Sequence, residues 1–271
     1  MAKNDNLTDY LTDLADGIRA KKGTTELINP QDFRAEIESI EGGDDIPLQD
    51  KVIDITENGI VELVADSEFK GLGKVIIKVN IIDRTKAPEG VSIQHIDGNF
   101  YSADDWVDAG FSNDKANGVA VNAKEAGFVI AKNSLGSNAW SSNTSDLLEG
   151  ILTTTSSTEA KKDFAGAANT AIIVAASTSG AAVECNNYTF PNGAKGYLPA
   201  SGELYVAYNN KASIDAAMTL IGGSGLGSSF YWSSTQCSAT NAWDLGWNVG
   251  IVGNDSKADT YTVRAFSALE I

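Results

Sequence analysis

Residues 230–269 read FYWSSTQCSATNAWDLGWNVGIVGNDSKADTYTVRAFSAL, and the middle of this run decides what kind of domain surrounds it. From Asn241 to Gly250, Trp243, Leu245, Trp247 and Val249 alternate with Asp244, Gly246, Asn248 and Gly250. Successive side chains of a strand point to opposite faces, so this period of two predicts a strand with a large apolar face toward a core and a small polar face toward solvent. The outward set is expected to continue in loop or edge positions through Ile251, Gly253, Asn254, Asp255, Ala258, Asp259 and Tyr261, before Val263 and Phe266 pack again. On the residues alone the segment is either a binding face or a plain polar hairpin with a Gly-Asn turn.

Upstream, short strand-like runs recur at 118–122, 127–131 and 230–233, and a further one is expected at 260–267. Two stretches have helical spacing instead. One spans 158–176, with Phe164, Ala168, Ile172 and Ala175. The other spans 203–221, is broken near Asn209-Asn210 and is ended by Gly222-Gly223. Two helices among short antiparallel strands with long loops predict an α+β domain. The run GGSGLGSS (222–229) has Ser228 where a dinucleotide fingerprint needs its third glycine and no lysine for a phosphate loop, so it reads as a glycine-rich helix exit.

Toward the N-terminus the composition changes at DRTKAPEG (83–90), a polar stretch carrying Pro88 and Gly90. The expected organisation is a helical oligomerisation or attachment segment at 1–43, a small β module at 44–82, a linker at 83–92 and the ligand-binding domain at 93–271. Leu7, Leu11, Leu14 and Ile18 form a two-heptad seam, which serves either an oligomeric stalk or a small intrachain helical hairpin. Pro30 opens a second helix through Phe33, Ile37 and Ile40. KVIDIT, Asn58-Gly59, IVELV and then KVIIKVN read as three strands.

The 271 residues carry a net charge of −16, spread evenly between residues 1–92 and 93–271, so no basic patch exists to hold nucleic acid. No apolar run near the start has the length of a signal peptide or membrane helix, which predicts synthesis in a cytoplasm without export by the usual route and without membrane insertion. His95 is the single histidine, in a strand-like run, and Cys185 and Cys237 are the only cysteines. That set supplies no histidine-based triad and no zinc site, so no catalytic residue, metal site or cofactor is expected and the protein reads as a non-enzyme.

The segment from Gly196 to Leu269, with its Tyr231-Trp232-Ser233-Ser234, Ala242-Trp243 and Val263-Arg264-Ala265-Phe266, resembles the variable proteins of diversity-generating retroelements. Those proteins have C-type-lectin-like folds, and the resemblance covers about residues 93–271. It implies a fixed frame at the quoted motifs and, between them, solvent-facing positions diversified by adenine-directed mutagenesis of asparagine codons. Carried over by position, the variable ligand-binding residues are Cys237, Asp244, Gly246, Asn248, Ile251, Gly253, Asn254, Asp255, Ala258, Asp259 and Tyr261. Each is a residue type reachable by changing the adenines of an Asn codon, whereas Gln236 and Lys257 are not and count as frame. The calcium–sugar motifs of true C-type lectins have only Phe190-Pro191-Asn192 and Trp247-Asn248-Val249 as their nearest matches, each short of a carboxylate, so that site is not expected. Calcium near Asp104-Asp105, or near Asp255 and Asp259, stays open.

The first half, LTDLADGIRAKKGTTELINPQDFRAEIESIEGG followed by DITENGIVELVADSEFKGLGKVIIKVN, is similar to N-terminal regions of tail-associated proteins of tailed bacteriophages. Together the two resemblances imply a phage receptor-binding tail protein that displays a hypervariable face to a host cell-surface ligand, protein or glycan. Other tail proteins would be its partners, a homo-oligomer such as a trimer its state, and the virion tail its location. The alternatives are a bacterial cell-surface adhesin with the same domain and a formylglycine-generating type of enzyme, the latter disfavoured by two lone cysteines.

Overall fold

A computed structural model of the chain describes residues 15–20, 59–63, 75–79 and 83–269. The chain divides into two compact units, residues 1–83 and 84–271. In the first, residues 15–20 are helical and bury Ala15 and Ile18, three apart on one helical face. There β1 (Gly59–Leu63) pairs antiparallel with β2 (Val75–Val79). The rest of the leucine seam, the helix expected after Pro30 and the KVIDIT strand lie outside the described residues. Among the described residues, no helix is long and apolar enough to cross a membrane.

The second unit is α+β. One sheet has the order β12-β6-β5-β3-β4 and is antiparallel throughout, built from β3 (Gly90–His95), β4 (Phe100–Tyr101), β5 (Ala116–Asn122), β6 (Gly127–Ile130) and β12 (Phe266–Ala268). Its centre reads as unbroken apolar runs because both faces are covered. Val119, Val121, Phe128 and Ile130 enter one core, while Ala120, Val129 and Ala131 enter the other. Gly118 has no side chain for a reason: a Cβ there would meet the Ile130 carbonyl oxygen of β6 at 2.4 Å.

The other sheet has the order β10-β9-β8-β11-β7, from β7 (Ser137–Ala139), β8 (Phe230–Gln236), β9 (Asn241–Gly246), β10 (Ile251–Ser256) and β11 (Thr260–Thr262). Its pairs are antiparallel except for a parallel contact of β11 with β8. Against one face lies α5 (Ser201–Asn209), while α6 (Lys211–Leu220) packs on β3 and β5 of the first sheet; their Leu204, Ala207, Ile214 and Met218 join Tyr231, Trp243, Leu245 and Trp247 in the first core. The second core gathers Trp140, Ile173, Cys185, Phe190, Trp232 and Val263.

Several elements differ from the sequence reading, each for a local reason. The helix expected at 158–176 is two helices, α2 (Ser157–Ala160) and α3 (Gly166–Ala175). Asp163 separates them, since its side chain accepts from the Ala165 N–H and its carbonyl from the Gly202 N–H. Two further short helices, α1 (Ala103–Asp108) and α4 (Ala181–Asn187), raise the count above the two expected. The strand expected at 260–267 is split into β11 and β12, because Val263-Arg264-Ala265 crosses from one sheet to the other: Val263 donates to the Gly136 carbonyl and Ala265 accepts from Ala131. Gly253 and Asn254, read as a turn, lie within β10. The glycine-rich run at 222–229 is the exit of α6, with Gly222 at φ +66° and the Gly223 N–H returning to the Met218 carbonyl.

The segment read as a linker is not one beyond its first residue. Residues 84–92 belong to the second unit, where Arg84 reaches the Phe100 carbonyl and Asp105, Ala87 accepts from the Asn122 side chain, and β3 begins at Gly90.

Candidate functional site

The frame is built from polar residues that are buried and hydrogen-bonded. In β8, Ser233 donates to the Trp243 carbonyl at 2.7 Å while its own carbonyl takes the Trp140 indole N–H at 2.7 Å. Thr235 donates to Asp163 at 2.8 Å and accepts from the Ser201 N–H, and the Ser234 N–H reaches the Pro199 carbonyl. Gln236 holds Leu148 through both ends of its amide and also accepts from Lys257 at 2.9 Å. Lys257 itself is buried with its ammonium against the Trp140 ring, and burial pulls its pKa down to about 8. Arg264, also buried, forms no salt bridge among the described residues; it donates to the carbonyls of Ala131, Lys132 and Ser224 and to the Ser224 hydroxyl, pinning the exit of α6 to the first sheet, while its Nε has no partner. Each buried donor or acceptor so satisfied avoids a desolvation penalty, which explains why such polar residues hold interior positions.

Two buried carboxylates are hydrogen-bonded as well. Asp163 accepts from Asn169 and Thr235 on one oxygen and from Ala165 on the other. Glu203 takes the Ala200 N–H at 2.7 Å at the start of α5 and the Tyr197 hydroxyl at 2.9 Å, and burial raises its pKa to about 7.

The eleven candidate display residues do not share one environment. Asn248, Ile251, Asn254, Ala258 and Asp259 are exposed; Gly253, Asp255 and Tyr261 are half-buried. They occupy the β9–β10 turn, β10, the β10–β11 turn and β11. Ile251, Gly253 and Asp255 share the sheet face of Asp244 and Gly246, since Ile251 pairs with Gly246 and Gly253 with Asp244. Asn254 lies on the opposite face, where its side chain accepts from Asn241.

Three candidates are not exposed, correcting the expected alternation. Cys237 is 7% exposed and joins the first core, closing β8 with its N–H on the Asn241 carbonyl. Asp244 is 1% exposed and Gly246 is buried as well, because aromatic rings from neighbouring strands lie over β9. Conversely Val249, expected inside, is 55% exposed: β9 ends at Gly246, and residues 247–250 turn, with the Gly250 N–H on the Gly246 carbonyl. Alternation assigned the side of the strand correctly up to Gly246 but carried no information about what covers that side.

The covering rings are Phe230, Trp232 and Tyr261. Phe230 is 46% exposed and stacks on Tyr261 with centroids 5.4 Å apart, and Trp232 meets the same ring at 4.7 Å. From β11, Tyr261 reaches across β8 and β9 to donate its hydroxyl to Asp255 of β10 at 2.7 Å. Beneath it, neither oxygen of Asp244 accepts from an N–H or hydroxyl donor, and the side chain within hydrogen-bond reach is the carboxyl of Asp255. Burial, and after it the charge of Asp255, push the Asp244 pKa up to about 7. Sequence reading missed Phe230 as a site residue; its signal was an aromatic at the exposed start of a strand.

Elsewhere, a polar cleft of about 370 Å³ on the first sheet is lined by Gln94, Asn99 and Asn192 among others, away from every display candidate. His95 packs its ring against Trp106 and Phe111, with Nδ1 2.9 Å from Asp97, and Cys185 is buried. Among the described residues, no three His, Cys, Asp or Glu side chains gather where they could hold a metal ion.

No family model matches the chain, and no curated protein is similar to it. Among solved structures, a fimbrial protein from Bacteroides ovatus is similar over 66% of this chain at 16% identity and a TM-score of 0.48. The match spans 48% of that protein, about half its length.

Proposed function

We propose that residues 84–271 form a C-type-lectin-like domain whose β9–β10–β11 side is a diversified ligand-binding surface, carried on a phage tail protein and directed at a host cell-surface ligand, protein or glycan. The observation that supports this reading is the division between frame and display positions. Tyr231, Trp232, Trp243, Leu245, Trp247, Val263, Arg264 and Phe266 are all buried, as are Gln236 and Lys257, while eight of the eleven display candidates are exposed or half-exposed on adjacent hairpins. A surface of that kind tolerates sequence change at small cost to stability, and multiple copies on one particle would add avidity to weak single contacts. The retroelement part of the reading is tested on DNA. A near-copy of the segment encoding residues 231–269 is expected beside a reverse transcriptase gene, differing at adenines of the template copy. Absence of both the repeat and neighbouring tail genes would overturn it.

A further inference from the structure

We infer that the face over Asp244 binds a cationic organic group of the ligand, an alkylammonium or guanidinium, between the Asp244–Asp255 carboxylates and the Phe230–Tyr261–Trp232 rings. This rests on the display reading and names the chemistry of that same surface. Asp163 and Glu203 show how this fold treats a buried carboxylate that serves its own structure: every such group is met by N–H or O–H donors. Asp244 is equally buried and receives none. Its neighbour across the hairpin is Gly253, which has no donor side chain, and the nearest ionisable groups are Asp255 and Tyr261, neither of them cationic. With Asp255 beside it the pair is balanced inside the protein only by a proton held on Asp244, and a cation from outside takes the place of that proton and lets both carboxylates ionise.

The aromatic half of the surface fits the same ligand. Phe230 is exposed although Tyr261 stacks on it, and the π-faces of such rings attract ammonium and guanidinium groups. Tyr261 is half-buried and is tied to the sheet face by its hydroxyl bond to Asp255. Turning its ring away breaks that bond, uncovers Asp244 and frees both carboxylates to accept from the incoming donors. A metal ion is a poorer occupant, since the described residues gather no third ligand of the usual types.

The experiment uses the full chain and the tripeptides Gly-Arg-Gly, Gly-Lys-Gly, Gly-Gln-Gly and Gly-Glu-Gly, N-acetylated and C-amidated so that the central side chain carries the sole charge, with glucosamine as a non-peptide amine. Binding is read by calorimetry and by tryptophan fluorescence, because Trp232 contacts Tyr261. Saturable binding of the cationic probes alone, weakened about ten-fold or more by Asp244→Asn and by Asp255→Asn and reduced by salt, is the expected result. Glucosamine binding as tightly as the peptides would place the cation on a glycan; peptide preference would place it on a protein. Cation binding that both substitutions leave unchanged, equal binding of Gly-Gln-Gly, or no binding at millimolar probe would overturn the inference. Such a failure leaves the display reading intact, since that reading stands or falls on the template repeat.

Discussion

At the scale of single residues, Glu203 and Asp244 differ in their donors but share their burial. Burial disfavours the charged form, so each keeps its proton to higher pH, and folding and protonation become linked. Asp244 and Glu203 both have folded-state pKa values raised to about 7, burial being the first cause of each. The folded chain therefore holds protons that the unfolded chain releases from about pH 4 upward, and stability falls as pH rises from there through about 7. Thermal denaturation should show a higher Tm at pH 5 than at pH 8. Asp244→Asn, which cannot ionise, should raise stability at pH 8 by about 1–3 kcal/mol and flatten the pH slope. An unchanged slope in that variant would show that Asp244 does not titrate as described.

At the scale of elements, the first sheet and the sheet-crossing segment depend on close approaches. Gly118 of β5 lets the β6 backbone come near, and a methyl group there would collide with the Ile130 carbonyl. Gly118→Ala should cost about 1–3 kcal/mol in urea denaturation, and more if β5 and β6 separate. Arg264 ties the crossing segment to Ser224, Ala131 and Lys132. Arg264→Leu leaves those carbonyls without their donor, so a loss of about 2–4 kcal/mol is expected, together with faster hydrogen exchange at the Ser224 N–H, which itself bonds to the Lys132 carbonyl. Exchange at wild-type rates would mean that the loop holds itself.

At the scale of the whole molecule, the second unit sets a buried interior against an exposed edge at β10 and its flanking turns. Replacing the exposed Asn248, Ile251, Asn254, Ala258 and Asp259 together with serine should change stability by no more than about 2 kcal/mol, because each is a surface substitution. Trp243→Ala alone should cost about 3–5 kcal/mol, since it empties a core position beneath α5 and removes an indole bond to the Thr154 carbonyl. Comparable costs for the two variants, measured side by side by chemical denaturation, would contradict the proposed division into frame and display.

Read alone, the sequence determined the α+β class, the break near Asn209-Asn210, the glycine stop after α6, most strand positions and the buried status of the tryptophan frame. These follow from periodicity, from glycine conformational freedom and from hydrophobic burial, all of which act over a few neighbouring residues. The codon reading that goes with the resemblance also set Gln236 and Lys257 apart from the display candidates, and both are buried. Only the tertiary structure decided that Gln236 and Lys257 bind each other, that Val263-Arg264-Ala265 passes between two sheets, and that Cys237, Asp244 and Gly246 are covered while Val249 is not. The physical reason is that alternation reports which side of a strand a residue faces, whereas burial depends on what comes to lie over that side. Over Asp244 this is Tyr261, seventeen residues along the chain and two strands away in the sheet.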